Sequence, residues 1–312
     1  FLSSKNVINK IKNMYSLISV NSFIPIHSSG IPGIFSKARK RYMTLSKVCF
    51  SAKQINKMNY DYIIVGSDEV WNFKDGKGDA KVKFGHGLTC KNLVAYAPSV
   101  GKSSANDAIP KYVEDGIKRF KAISARDDLT ADLVEHITGN YPTRVLDPTF
   151  LSKFPKAKLK VSKKPYILFY YCEHLPKKIK KQIFAYAKEH GYAVYGAGEC
   201  DKQYTDITVD LAPFEWVEMF RNADFVFTGT FHGAVSILNE RPFKVYLTNE
   251  SRIKKVGALL RELHIPNRKI DKDFKLDLEK MRDEIDYIVV NEIIDEKREA
   301  SIDYLRRVIK GK

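Results

Sequence analysis

The chain has 312 residues, 44% of them hydrophobic, and 53 basic residues against 37 acidic ones give a formal net charge of +16. That length implies two domains or one large one with a real core, and no apolar run of eighteen or more residues occurs that would form a membrane-spanning helix. The charge points to an anionic partner, either a phosphorylated substrate or an anionic membrane surface; scattered lysines without a C2H2 or RRM pattern argue against nucleic acid.

Residues 1–30 show weak periodicity. The pattern from Lys37 to Met58 predicts a helix, and Asp61–Val65 a buried strand ended by Gly66-Ser67-Asp68. Asn92–Ala97 reads as a strand and Ser103–Phe120 as a helix that Pro110 either breaks or starts. Lys121–Ala125 is a third strand. Asp127 or Asp128 then caps a helix that runs to Ile137 and stops at Gly139-Asn140. Thr143–Leu146 is a fourth strand, closed by Asp147-Pro148-Thr149. Residues 153–164 carry six lysines and one proline and form the candidate linker.

A second series follows, with strands at Tyr166–Tyr171 and Tyr192–Tyr195 and helices at Lys177–His190 and Pro213–Asn222. Asp224–Phe227 is an apolar strand that runs into Thr228-Gly229-Thr230-Phe231-His232-Gly233 and then a helix start. Pro242–Tyr246 gives another strand, and Val256–Leu263 and most of 287–309 read as helix. Strands alternating with helices predict parallel sheets covered on both faces. The expected fold is therefore α/β, with two Rossmann-like domains at 1–155 and 165–285 and a ligand cleft between them. A last helix within 286–312 packs back on the first domain through Ile294, Ala300, Tyr304, Leu305 and Val308.

Phe1 is not a start methionine and the residues after it form no signal peptide, so the N-terminus reads as cut or processed. Cys49, Cys90, Cys172 and Cys200 form no C-x-x-C pair, which argues against a zinc or redox motif. Reduced thiols and a cytoplasmic location follow as the expectation, at the inner face of the membrane if the charge serves that purpose.

The stretch 228–233 carries the strongest chemical signal. A strand ending in small residues and turning into a helix leaves backbone N–H groups that favour an anion. His232 sits at that turn, where an imidazole can exchange a proton near neutral pH. Its plain alternative is a histidine that only caps the helix. Thr230 reads as an ordinary N-cap and, with the N–H groups near Phe231 and Gly233, as part of an anion site; the two readings hold together, because a cap and an anion site use the same donors. Gly66-Ser67-Asp68 repeats this strand-to-turn logic in the first domain. Asp68 is a candidate base or hydrogen-bond partner for a hydroxyl. Trp71 is either a stacking platform for a sugar or a core residue, and Ser99 a turn facing the cleft. Arg126 follows a strand and opens a helix, so its guanidinium is placed to grip an anion; the bland reading pairs it with Asp127, Asp128 or another domain's acid. Asp147 before Pro148 suits a turn more than catalysis. Glu215 complements the dipole of its helix, and Arg252 and Arg268 either steer a phosphate or, by default, are solvated arginines.

Five motifs in order resemble the polysaccharide pyruvyl transferase family. They are Asp61-Tyr62-Ile63-Ile64-Val65-Gly66-Ser67-Asp68-Glu69-Val70-Trp71-Asn72, Ala95-Tyr96-Ala97-Pro98-Ser99-Val100-Gly101, Ile123-Ser124-Ala125-Arg126-Asp127, Leu146-Asp147-Pro148-Thr149 and Thr230-Phe231-His232-Gly233. The resemblance covers about residues 40–310. It implies a fold similar to the B-type glycosyltransferases (glycosyltransferase-B-like), phosphoenolpyruvate as donor, a sugar as acceptor, and a cyclic pyruvate ketal on a cell-surface or exported glycan. It implies His232 as general acid, Arg126, Thr230, Phe231 and Gly233 around the donor, and Asp68, Gly66, Ser67, Trp71, Ser99 and Asp147 on the acceptor side. No cofactor and no metal are implied, and the acceptor is lipid-linked if the basic surface meets a membrane. The chain departs from the family in two ways. The family's first strand and its Gly/Asn-rich loop have no counterpart here, and Thr230 stands where many members carry Arg.

Two other functions fit the same fold class: a nucleotide-sugar glycosyltransferase and a non-catalytic glycan-binding relative.

Overall fold

The computed structural model describes residues 30–74, 80–172, 174–206, 208–270, 276–283 and 285–311. Most of the weakly periodic segment 1–30 lies outside them. The chain separates into two compact units. The first comprises Lys47–Lys153, Leu247–Lys269 and Asp283–Lys312. The second comprises Phe154–Tyr246, Ile270–Arg282 and the described part of residues 1–46.

Helices α1 (Ile31–Tyr42) and α2 (Ala52–Asn56) replace the single helix expected over 37–58. Pro32 stands in the first turn of α1, and extended backbone at Met43 ends it. The Ser51 hydroxyl accepts the Gln54 N–H and starts α2 afresh.

The first unit holds a four-stranded parallel sheet of β1 (Ile63–Val65), β2 (Leu93–Ala95), β3 (Ala122–Ala125) and β4 (Thr143–Arg144), in that spatial order. Helix α3 (Lys111–Ile117) begins after Pro110, so the proline starts this helix. Helix α4 (Asp128–Thr138) starts and stops as predicted. The Asp127 carboxylate accepts the Thr130 N–H at its start, and Gly139 at φ 72° closes it. Trp71, Phe84, Leu93, Val113, Ile117 and Leu133 meet in the core.

The second unit repeats the plan with β5 (Tyr166–Tyr170), α5 (Lys177–Glu189), β6 (Ala193–Gly196), α6 (Pro213–Asn222), β7 (Phe225–Thr228), α7 (Phe231–Ala234) and β8 (Phe243–Val245). Its sheet is parallel with the order β6-β5-β7-β8. Every residue of β7 is buried, as an unbroken apolar run in a parallel sheet requires. Ile179, Ile183 and Ala187, four apart along α5, form the stripe that covers the sheet.

Three later helices follow, α8 (Glu250–Glu262), α9 (Leu278–Asp283) and α10 (Tyr287–Lys310). Leu278 and Met281 of α9 join the core of the second unit. The expected domain 165–285 is not continuous, because residues 247–269 belong to the first unit. The Ser251 hydroxyl of α8 donates to the Gly101 carbonyl at 2.7 Å, and Lys255 is buried there. Helix α10 belongs to the first unit as well. Its Ser301 hydroxyl accepts the Leu146 N–H at 3.0 Å, and Arg298 donates to the Phe150 carbonyl at 2.7 Å. Its buried stripe is Val290, Ile294, Ser301 and Tyr304, and Ala300 is exposed.

Candidate functional site

In both units the polar residues singled out by sequence stand at the carboxyl ends of parallel strands. Such edges gather loops and helix starts, and ligands of α/β folds bind there.

In the first unit three loops are joined. Gly66 follows β1 with φ 141°, and a Cβ on it would lie 1.9 Å from the Tyr96 carbonyl oxygen, so only glycine fits. Asp68 sits at φ 63°, and its backbone forms a parallel bridge with Pro98. Its carbonyl accepts the Ser99 N–H at 2.7 Å, and the Ser99 carbonyl accepts the Trp71 N–H at 3.1 Å. These bonds fix the loop after β1 against the loop after β2. They leave the Asp68 side chain 65% exposed.

Arg126, directly after β3, is buried and donates through Nη1 to Asp147 Oδ2. Its Nη2 meets Asp68 Oδ1 at 3.4 Å. Asp147, after β4, is also buried, and its other oxygen accepts the Thr149 N–H at 3.0 Å and the Thr149 hydroxyl at 2.8 Å. Burial pushes the Asp147 carboxyl up, but the Arg126 charge and the Thr149 bonds outweigh it and hold the group below the usual carboxylate range. Burial likewise disfavours the Arg126 charge, and Asp147, Asp127 and Asp68 outweigh that, raising its pKa. The structure thus brings Asp68, Arg126 and Asp147 together from three strand ends, so the acids that meet Arg126 stand in its own unit and not in another domain. Asp128 pairs with Arg144 at 2.7 Å. Asp147 does build the turn, with its side chain capping Pro148–Phe150.

Two acceptor-side expectations are corrected. Trp71 is wholly buried, stacked 6.1 Å from Phe84 and edge-on to Phe120, with its Nε1 bonded to the Lys83 carbonyl at 2.9 Å. It offers no open ring face to a sugar. Ser99 is also wholly buried, and its hydroxyl accepts the Gly101 N–H at 3.3 Å. Both residues hold loops, and the exposed group they hold is Asp68. Ser67 is half-buried beside it.

In the second unit, β7 ends at Thr228 and turns through Gly229 and Thr230 into α7, only four residues long before a 3-10 turn over Val235–Asn239. The Thr230 hydroxyl accepts the Gly233 N–H at 3.0 Å. The ordinary N-cap reading of Thr230 therefore holds, and the Gly233 N–H is already taken rather than offered to an anion. A Cβ on Gly233 would lie 1.9 Å from Thr228 Oγ1, so this glycine lets the helix start sit against the strand end. Phe231 and His232 are half-buried with their rings edge-on, centroids 5.6 Å apart. Among the described residues no hydrogen bond engages the His232 ring.

Sequence reasoning missed the partner of Glu69. Lys255 Nζ of α8 reaches Glu69 Oε1 at 2.7 Å from a buried position. No local signal links residues 186 apart in sequence. Thr149 was also missed, although Asp147-Pro148-Thr149 has the short spacing of a side-chain-to-backbone turn. Arg268, expected in solvent, is wholly buried, and burial pushes its pKa down to about 10. Arg252 is half-buried. Glu215 Oε2 accepts the Ala212 N–H at 2.8 Å, which is its helix-start role. Among the described residues no helix is long and apolar enough to cross a membrane.

Two parallel α/β units carry polar residues and an imidazole at their strand ends, where ligands of such folds bind. The sequence model of the polysaccharide pyruvyl transferase family matches residues 4–243, and the chain belongs to that family. No curated protein matches it significantly. Among solved structures it is similar to the spinosyn rhamnosyltransferase SpnG complexed with thymidine diphosphate, at 11% identity and TM-score 0.40, over 94% of this chain and 83% of that one. SpnG without that ligand aligns at 9% identity and TM-score 0.40, over 92% and 80%. An O-GlcNAc transferase variant from Thermobaculum terrenum aligns at 8% identity and TM-score 0.30, over 82% and 51%.

Proposed function

We propose that this chain transfers pyruvate from phosphoenolpyruvate to two hydroxyls of a sugar in a cell-surface or exported polysaccharide, forming a cyclic ketal and releasing phosphate. The observation that carries this reading is the membership of the family together with a half-buried His232 whose ring takes no hydrogen bond among the described residues, just past the end of β7. His232 as imidazolium protonates the methylene carbon of the enol. The positive charge that develops at the neighbouring carbon accepts the first sugar hydroxyl, which loses its proton. A second hydroxyl then attacks the same carbon and gives its proton to the departing phosphate, as the carbon–oxygen bond to phosphate breaks and phosphate leaves with that oxygen. A general acid in this role contributes about 10²–10⁴-fold.

Arg126 is locked to Asp147 through one nitrogen, and its Nη2 meets Asp68 at 3.4 Å, longer than the roughly 2.7–2.9 Å of a tight charged bond. A donor carboxylate or phosphate competes with Asp68 for that nitrogen. Displaced, the exposed Asp68 is the base for a sugar hydroxyl. The test is acceptor-dependent phosphate release from phosphoenolpyruvate, with nucleotide sugars as competing donors. Turnover of phosphoenolpyruvate supports the reading, and stabilisation or turnover with nucleotide sugars alone ends it.

A further inference from the structure

Helix α1 and the residues just after it are mostly exposed. No residue of α1 is buried. Ile31, Ile34, Phe35, Ala38 and Tyr42 recur at helical spacing on one face, where Ile31, Ile34 and Ala38 are half-buried and Phe35 and Tyr42 exposed, and Lys37, Arg39, Lys40 and Arg41 lie beside that face in the open. Tyr42 is held at the end of the helix, edge-on to the Phe214 ring at 4.5 Å. Past the helix, beyond extended backbone at Met43, apolar side chains stand in the open, Met43 at 57% and Leu45 at 51% exposure, followed along the chain by Val48 and by Phe50 at 88%. Charge in this region is one-sided. Residues 30–60 contain seven lysines and arginines and no aspartate or glutamate.

Exposed apolar side chains beside a cluster of cations are costly in water and useless to a purely electrostatic partner. A bilayer of anionic lipid satisfies both kinds at once, taking the apolar side chains below the headgroups while the cations meet the phosphates. A nucleic-acid backbone would meet only the cations. We propose that helix α1 and the Met43–Leu45 segment form a docking surface for an anionic phospholipid bilayer. This inference stands apart from the pyruvyl-transfer reading, since none of its residues belongs to either strand-end cluster.

The full chain is floated with phosphatidylcholine vesicles and with vesicles of phosphatidylcholine and phosphatidylglycerol mixed about two to one, across a salt series. Binding is expected only to the anionic vesicles, falling as salt rises. Replacing Lys37, Arg39, Lys40 and Arg41 together with Ser should weaken it about 10²–10³-fold, because each cation contributes about fivefold at such a surface. Met43→Asp with Leu45→Asp should abolish it, and both variants should keep the parent's melting temperature. Equal binding to neutral vesicles, no binding to anionic ones, or variants that bind like the parent would overturn the proposal. So would binding of duplex DNA by a parent protein that ignores the vesicles. Should a variant fail to fold, the neutral-vesicle and salt arms on the parent decide.

Discussion

The guanidinium of Arg126 and the carboxylate of Asp147 pair inside the first unit, both buried, one at the end of β3 and the other just past β4. This pair closes the sheet edge on which Asp68 is presented. Removing one member leaves an uncompensated charge in the interior, so Asp147→Asn should cost about 3–5 kcal/mol of unfolding free energy at neutral pH. Replacing both, as Arg126→Met with Asp147→Leu, should cost far less. The Asp147 carboxyl is held below its usual range, so its stabilisation is present above the unfolded value of about 3.9 and lost as pH falls through the lowered folded value. Urea unfolding across acidic pH should show that loss in the parent and a flatter profile in Asp147→Asn. Identical profiles would place the acid sensitivity elsewhere.

His232 makes no hydrogen bond through its ring among the described residues, so its loss should leave the fold intact. His232→Ala should melt within a degree or two of the parent, yet release phosphate from phosphoenolpyruvate about 10²–10⁴-fold more slowly. Unchanged turnover in a folded variant removes the acid role.

Trp71 separates a core role from a sugar platform. Trp71→Phe retains the aromatic packing and loses the Nε1 bond to Lys83, which should cost about 1–3 kcal/mol. Acceptor KM should not change. A KM that rises while stability holds would put the ring at the substrate after all.

The Lys255–Glu69 pair should respond asymmetrically. Lys255 has a side chain only 5% exposed, whereas that of Glu69 is 44% exposed. Glu69→Gln strands a buried ammonium and should cost about 3–5 kcal/mol, while Lys255→Met leaves a carboxylate that water can reach and should cost much less. Chemical denaturation of the two variants gives the comparison, and equal losses would refute this account of the pair.

Much of the fold was legible because its signals are local. The Asp127 cap, the Gly139 stop and the Pro213 helix start each depend on a few neighbouring residues, and the structure has each in place. The helix expected over 37–58 failed because its basic and apolar spacing suits a helix, while nothing in that spacing registers the break that Met43 makes. Gly66 and Gly233 were marked by position, but the reason each must be glycine lies in a distant or folded-back partner, the Tyr96 carbonyl in one case and the Thr228 hydroxyl in the other.

The order of residues alone fixed where strands end and which polar groups stand at those ends, since periodicity and turn chemistry act over a few residues. It also carried the family motifs. Only tertiary packing decided that Arg126 pairs with Asp147 and Asp68, that Trp71 lies in the core, and that α8 joins the first unit through Ser251 and Lys255. Those outcomes depend on burial and on contacts between residues far apart in sequence, where desolvation, not local spacing, determines which partner a charge takes.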